Sequence, residues 1–170
     1  MSRALAGAVA QGQGASFETW LRDFIFAPML RNGVLVRADK LDPPARSVWD
    51  ARRGRMVMVP VAAGGADFVL CLHDARYAAI EAKSTGESRL YRDHIEPHQV
   101  AHLDAAAAAG GGAYLAVQFR AGRSTGAYLV QWADVPWFAA RTAPSITAAD
   151  LEPWQITNWL DAARLLGCAS

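Results

Sequence analysis

Residues 64–85 read GGADFVLCLHDARYAAIEAKST, and this stretch decides the fold. Its two apolar runs, residues 67–72 and 77–83, each have the length of a β-strand. The polar segment 73–76 between them is short enough for a tight turn. The two runs therefore predict an antiparallel hairpin within a larger sheet.

Two carboxyl groups and one ammonium group meet in this predicted hairpin. Glu81 and Lys83 are two residues apart on one strand and therefore share a face. Asp67, at the start of the first strand, lies across from the end of the second and so beside them. Neighbouring carboxylates repel each other, and a divalent cation relieves that repulsion. Oxygen ligands of this kind favour Mg²⁺, with Mn²⁺ as a substitute.

A lysine beside such a cation suits phosphodiester hydrolysis. Negative charge builds on the phosphate oxygens and on the leaving 3′ oxygen, and both the cation and the ammonium group stabilise it. The spacing alone is a weak pattern, because Glu-x-Lys on a strand also describes a solvated ion pair. The flanking segments carry the rest of the argument.

Those segments predict the other layers of an α/β fold. Apolar residues at helical spacing predict an amphipathic helix over residues 16–30, and a Pro-led segment predicts a second helix over 96–109. The apolar run 113–119 is typical of a buried central strand. We therefore predict one α/β domain over residues 16–170, with helices flanking a mixed sheet, and a mobile arm over residues 1–15.

Composition excludes several classes of protein. The chain has 170 residues, of which 52% are hydrophobic and 19% charged, so it forms a globular domain rather than a disordered one. No apolar run reaches the roughly 18 residues of a membrane span, and no secretory signal is visible. We expect a cytoplasmic protein, in the host cytoplasm if a phage encodes it, with no membrane partner. The glycine-rich turn at 110–112 lacks a P-loop lysine, so no nucleotide cofactor is expected.

Four motifs occur together in a fixed order along the chain. They are GGADF at 64–68, IEAKST at 80–85, IEPHQVAHL at 95–103 and GGAYLAVQF at 111–119. In order and spacing they resemble the RecU-type Holliday junction resolvases of the PD-(D/E)XK nuclease superfamily. The resemblance implies a restriction-endonuclease-like fold and a Mg²⁺-dependent homodimer. Such a dimer makes paired, symmetric nicks in four-way junction DNA during recombination and repair.

The same resemblance implies roles for individual residues. Asp67 and Glu81 bind the metal, and Lys83 is the catalytic lysine. Gln99, at the start of the second helix, is a further metal ligand, either directly or through water. Glu18 on the first helix is an accessory catalytic acid near the same metal.

The chain departs from the family pattern in two places. Gly65 stands where the family usually has Thr, so a hydroxyl ligand is lost there. The loop before Pro97 is slightly shorter than usual and lacks the family's lysines. Arg89 and Arg92 lie in that loop instead.

The formal net charge of +1 argues by itself against a broadly basic DNA-binding protein. One segment of the chain is nevertheless strongly basic. Residues 31–55 contain seven cations and three acids. The resemblance places a stalk-like insertion between strands at 38–55, which in the family enters the centre of the junction. Trp49, within this segment, either stacks on an exposed base or belongs to the core. We expect DNA contacts from Arg46, Arg52, Arg53, Arg55, Arg89, Arg92 and His98.

Three alternatives stay open at this point. Another PD-(D/E)XK nuclease, acting on duplex or flap DNA in restriction or repair, would carry the same motifs. A junction-binding protein that cuts poorly would result if Gly65 weakens the metal site. His98 and His102 have the spacing of a transition-metal pair on a helix, although packing or DNA contact is the simpler interpretation.

Overall fold

The computed structural model describes residues 16–42, 44–60, 64–121, 126–136 and 144–168. The predicted N-terminal arm, residues 1–15, lies outside these described residues. The strands within them are β1 (Leu35–Lys40), β2 (Ala45–Asp50), β3 (Arg55–Pro60), β4 (Phe68–Leu72), β5 (Tyr77–Thr85), β6 (Arg89–Tyr91), β7 (Gly112–Phe119), β8 (Gly126–Gln131), β9 (Ser145–Thr147) and β10 (Gln155–Ile156).

Three helices flank these strands in the described part of the chain. The first, α1, runs from residue 16 to residue 31 and includes a π-helical stretch, Leu21–Phe26. The second and third are α2 (Pro97–Ala108) and α3 (Trp159–Leu165). The helices predicted over 16–30 and 96–109 are therefore confirmed. None of the described helices is both long and apolar enough to span a bilayer.

Six strands form one mixed sheet in the order β1-β4-β5-β7-β8-β10. β5 and β7 are parallel, and α2 lies in the connection between them, as a crossover of this kind requires. The neighbouring pairs β4–β5 and β7–β8 are antiparallel. The predicted fold class, a mixed central sheet flanked by helices, is confirmed.

The alternation of side chains along β5 divides the core into two layers. Ala78 and Ile80 pack with α1 and α3 on one face, whereas Ala79 packs with α2 on the other. Because successive strand residues face opposite ways, Glu81 and Lys83 project towards the α2 side.

The basic segment folds as a separate two-stranded hairpin, β2–β3, paired from Ala45↔Pro60 to Asp50↔Arg55. It is inserted between β1 and β4, which are themselves paired with Lys40 opposite Phe68. The boundaries predicted for the stalk, 38–55, are corrected by this register, since residues 38–40 belong to β1. The strand β3 belongs to this inserted hairpin and not to the central sheet. Both faces of the hairpin carry exposed side chains. The sequence therefore has no alternation of buried and exposed positions that would indicate where the hairpin begins and ends.

This topology predicts that the inserted hairpin is dispensable for folding. Replacing residues 43–63 by about four Gly and Ser residues should change the free energy of unfolding by no more than ~1 kcal/mol, because the loop still joins two paired strand ends. Urea denaturation followed by circular dichroism measures this. Loss of the cooperative transition would contradict the assignment of these residues as an insertion.

Candidate active site

The candidate site lies where β4 and β5 separate. Their pairing ends at Phe68↔Ile80, while β5 continues beside β7 as far as Thr85. Asp67 stands at this fork, and its Oδ2 accepts the backbone N–H of Ala82 at 2.8 Å. The backbone carbonyl of Asp67 accepts the N–H of Leu41 at 2.8 Å. Asp67 is thus held on both sides, opposite the continuation of β5.

Glu81 is completely buried at this fork, with 0% of its surface exposed. Its Oε1 lies 2.7 Å from the Lys83 ammonium, yet neither carboxylate oxygen accepts a hydrogen bond of acceptable geometry within the described residues. Burial raises the pKa of Glu81 to about 7, and the charge of Asp67 adds to this, against the lowering effect of Lys83. A buried carboxylate that faces a second carboxylate is costly even beside one ammonium group, and a divalent cation would reduce that cost.

The predicted proximity of Asp67, Glu81 and Lys83 is therefore what the structure shows. It follows from the period-two alternation and from the register that sets Phe68 opposite Ile80.

Lys83 is held by the start of α2. Its Nζ donates to Gln99 Oε1 at 3.0 Å, and the same oxygen accepts the backbone N–H of Glu96 at 2.9 Å. The amide oxygen of Gln99 thus serves two donors, one of them at the helix N-terminus. Its predicted role as a metal ligand stays a prediction, and in this structure the oxygen positions the ammonium group.

The donor set of this site fits a divalent cation with oxygen ligands. The carboxylates of Asp67 and Glu81 face each other, and the oxygens of Glu81 accept no well-aligned hydrogen bond among the described residues. No group of three or more His, Cys, Asp or Glu residues gathers within the described chain. His98 is exposed and His102 packs on Gly65, so within the described residues the two do not form the transition-metal site that their spacing allows.

Glu18 is not part of this cluster among the described residues. It lies on α1, which packs on the other face of the sheet, and its carboxylate forms an ion pair with Lys40 at 3.3 Å. Lys40 also contacts Asp42 at 2.7 Å. A cavity of about 120 Å³ beside Glu18 extends to Phe68, the neighbour of Asp67. The accessory role of Glu18 stays a prediction.

Gly65, the departure from the family pattern, has a local cause. A Cβ atom at this position would lie 2.8 Å from Nδ1 and 2.9 Å from Cε1 of His102. Because the imidazole ring of His102 occupies that space, a Thr cannot be accommodated at residue 65 without moving the ring.

The inserted hairpin presents its cations to solvent. Arg46, Arg52, Arg53 and Arg55 are all exposed. Arg53 lies 3.5 Å from Asp50, and the other three have no carboxylate within 4 Å among the described residues.

Trp49 on the same hairpin is 60% exposed, so its core interpretation is wrong. It pairs across the hairpin with Met56, and Ser47 pairs with Met58. The side chains of Trp49, Met56 and Met58 therefore share one face of the hairpin, and each is more than half exposed.

The remaining predicted DNA contacts surround the start of α2. Arg89 donates to Ser145 Oγ at 3.3 Å, and Arg92 lies in the 3-10 turn Arg92–His94. His98 is exposed in the first turn of α2, next to Gln99. Their DNA-binding role stays a prediction.

The sequence did not reveal three other contacts at this edge. The Ala82 amide that holds Asp67 is a backbone group, which no residue pattern can indicate. The packing of His102 on Gly65 joins residues far apart in the chain. Ser84 Oγ donates to Gln118 Oε1 at 2.9 Å and accepts from Arg120 Nε at 2.9 Å. The polar residue types on β5 and β7 were the only sequence signal for that last network.

Comparisons with known proteins bear on the fold. No protein-family model and no curated protein sequence matches this chain. Among solved structures, it is similar to Hjc of Archaeoglobus fulgidus, a Holliday junction resolvase from an archaeal hyperthermophile. The TM-score is 0.51 at 17% sequence identity, over 86% of this chain and 98% of that chain.

The chain has the fold of that resolvase. At 17% identity, the likeness concerns the backbone arrangement. The finer, RecU-type assignment stays a prediction from the motifs.

The burial of Glu81 predicts a pH dependence of stability for the metal-free protein. Because the folded-state pKa is raised from 4.5 to about 7, the folded state binds the proton more tightly than the unfolded state. Stability should therefore fall as the pH rises from about 4.5 to 7, by roughly 3 kcal/mol in total. Glu81→Gln should remove this fall, which urea denaturation in EDTA between pH 4.5 and 8 measures.

A matched control is Glu152→Gln, which changes an exposed glutamate in the 3-10 segment Ala149–Trp154. It should retain the pH dependence of the unsubstituted protein. Parallel pH profiles for the unsubstituted protein and Glu81→Gln would contradict the assignment of a costly buried charge.

Proposed function

We propose that this chain is a Mg²⁺-dependent, structure-selective endodeoxyribonuclease that resolves four-way DNA junctions by paired nicks. The observation that carries the proposal is the buried carboxylate of Glu81, which faces Asp67, lies 2.7 Å from the ammonium of Lys83 and accepts no well-aligned hydrogen bond among the described residues. The fold shared with a Holliday junction resolvase and the four motifs support it further.

Each group of the fork then has a role in hydrolysis. Asp67 and Glu81 would hold Mg²⁺, which when bound neutralises charge on the scissile phosphate and lowers the pKa of water. Lys83, fixed by Gln99, would donate to a phosphate oxygen as negative charge accumulates in the transition state.

The inserted hairpin would recognise the junction. Its exposed guanidinium groups, those of Arg46, Arg52 and Arg55, are available to DNA phosphates. The exposed apolar face of Trp49, Met56 and Met58 suits unstacked bases, which a junction offers at its centre. This arrangement supports the RecU-type assignment, because an inserted stalk is the part of that family this hairpin resembles.

A homodimer belongs to the same proposal. Resolution requires nicks in two opposed strands, and the fork supplies one pair of facing carboxylates, Asp67 and Glu81, in each chain. Two copies, with one site each, would make the two nicks.

Cleavage tests the proposal directly. Asp67→Asn and Glu81→Gln should each abolish cleavage of a synthetic four-way junction in Mg²⁺ and keep its binding within about tenfold, because only the metal site is lost. Lys83→Ala should retain metal binding but lose most of the rate. Gel assays of cleavage and binding, with EDTA as the metal-free control, measure both properties.

Asp134→Asn serves as a matched control, since this aspartate is exposed in the 3-10 turn Trp132–Asp134. It should cut at the unsubstituted rate. Cleavage that persists in Asp67→Asn would exclude the proposed site. Equal cleavage of linear duplex would favour another nuclease of the superfamily, and binding without cleavage would favour the junction-binding alternative.

Salt dependence tests the role of the hairpin. Arg52→Gln and Arg55→Gln should each reduce the slope of log affinity against log salt by about one for every phosphate that the removed guanidinium group neutralised. Fluorescence anisotropy with a labelled junction at several salt concentrations measures the slope. Arg164→Gln, an exposed arginine on α3, should leave it unchanged. Unchanged slopes in the hairpin variants would remove the hairpin from the DNA interface.

A further inference from the structure

The helix α2 contacts both halves of the fork. Gln99 and His102 are three residues apart, so they lie on neighbouring positions of one helix face. Gln99 binds Lys83 on β5, whereas His102 packs on Gly65 in the segment that leads into β4. The helix α2 therefore contacts both Lys83 and the segment that carries Asp67, in addition to the strand pairing that places them.

The contact between His102 and Gly65 is unusually close. A methyl group at residue 65 would meet the imidazole ring at 2.8 Å, a distance that packed side chains do not tolerate. The glycine is needed for space, since the backbone of Gly65 does not have positive φ. On its other side, the ring has the Tyr77 hydroxyl 3.4 Å from its Nε2, within hydrogen-bond distance. The ring is thus fixed between β5 and the approach to β4.

The segment held by this ring carries the site's first carboxylate. Gly65 is two residues before Asp67, and Ala66 between them is completely buried. On its N-terminal side, this segment connects to the inserted hairpin. A ring packed on Gly65 therefore fixes the chain between the part that would bind DNA and the carboxylate that would bind metal.

We propose that His102 is a positioning residue for Asp67, acting through its packing on Gly65 and not as a metal ligand or a DNA contact. The proposal rests on the proposed function, because it concerns the metal site of that reaction. It also assigns a reason to the glycine, since ring and glycine form one complementary pair. Groups that hold a metal ligand in place typically change metal affinity by about tenfold or more when they are removed.

A double-mutant cycle tests this inference, with Mn²⁺ affinity measured by calorimetry in the absence of DNA. Gly65→Thr displaces the ring and His102→Ala removes it, so each should weaken Mn²⁺ binding by about tenfold. In the double variant, the Thr side chain fills the space left by the imidazole, and affinity should return to within about threefold of the unsubstituted protein. The inference would be overturned if the two losses of Mn²⁺ affinity added up in the double variant. It would also be overturned if the single variants bound Mn²⁺ as tightly as the unsubstituted protein.

Two controls make the result specific. His73→Ala removes an exposed imidazole in the turn between β4 and β5 and should leave Mn²⁺ affinity unchanged. If Gly65→Thr does not fold, Gly65→Ala replaces it in the same cycle, because its smaller methyl group still meets the ring. Urea denaturation gives the folded fraction of each variant, so a loss of stability is separated from a loss of metal affinity.

Junction cleavage by the unsubstituted protein is measured alongside and separates the two proposals. Recovery of Mn²⁺ affinity in the double variant supports the positioning role even if no junction is cut, and the proposed function then fails alone. Junction cleavage with no recovery supports the function and overturns the role of His102. An unsubstituted protein that does not bind Mn²⁺ overturns both.

Discussion

The burial of one carboxylate governs this structure. Glu81 is inaccessible to solvent, and among the described residues its charge is compensated by the ammonium of Lys83 and opposed by the carboxylate of Asp67. The neighbouring strand and helix position the groups that interact with this charge. β4 begins only after Asp67 and so does not cover the end of β5, and α2 begins where its first turn can hold the lysine. The two strands thus separate at the point where these charged groups lie inside the core.

Much of this fork was predictable from the sequence, because it depends on local rules. A two-residue period puts Glu81 and Lys83 on one face, and a short turn between apolar runs sets the hairpin register that brings Asp67 opposite. The Pro-led start of α2 follows equally simple rules. Fold class and the central cluster therefore rest on short-range patterns.

The other features depend on contacts between distant residues. The limits of the inserted hairpin were misplaced because its strands are exposed on both faces and show no burial period. The double use of the Gln99 oxygen requires the helix and β5 to be placed together in space. The packing of His102 on Gly65 also depends on the folded structure. In the sequence alone, Gly65 is noticeable only as a departure from the family motif. Residue types identified the candidates, and packing determined what each one contacts.

The insertion point of β2–β3 has a consequence for how such a protein changes over evolutionary time. Because Lys40 and Phe68 are direct neighbours across two paired strands, segments of very different length can be exchanged there without disturbing the central sheet. Glu81 and Lys83 belong to β5, and Asp67 is held by backbone hydrogen bonds with Ala82 and Leu41 that do not involve the hairpin strands. Under the proposed function, selection can alter the DNA shape that the hairpin recognises without changing the residues of the hydrolytic site, so related chains should diverge first in this hairpin.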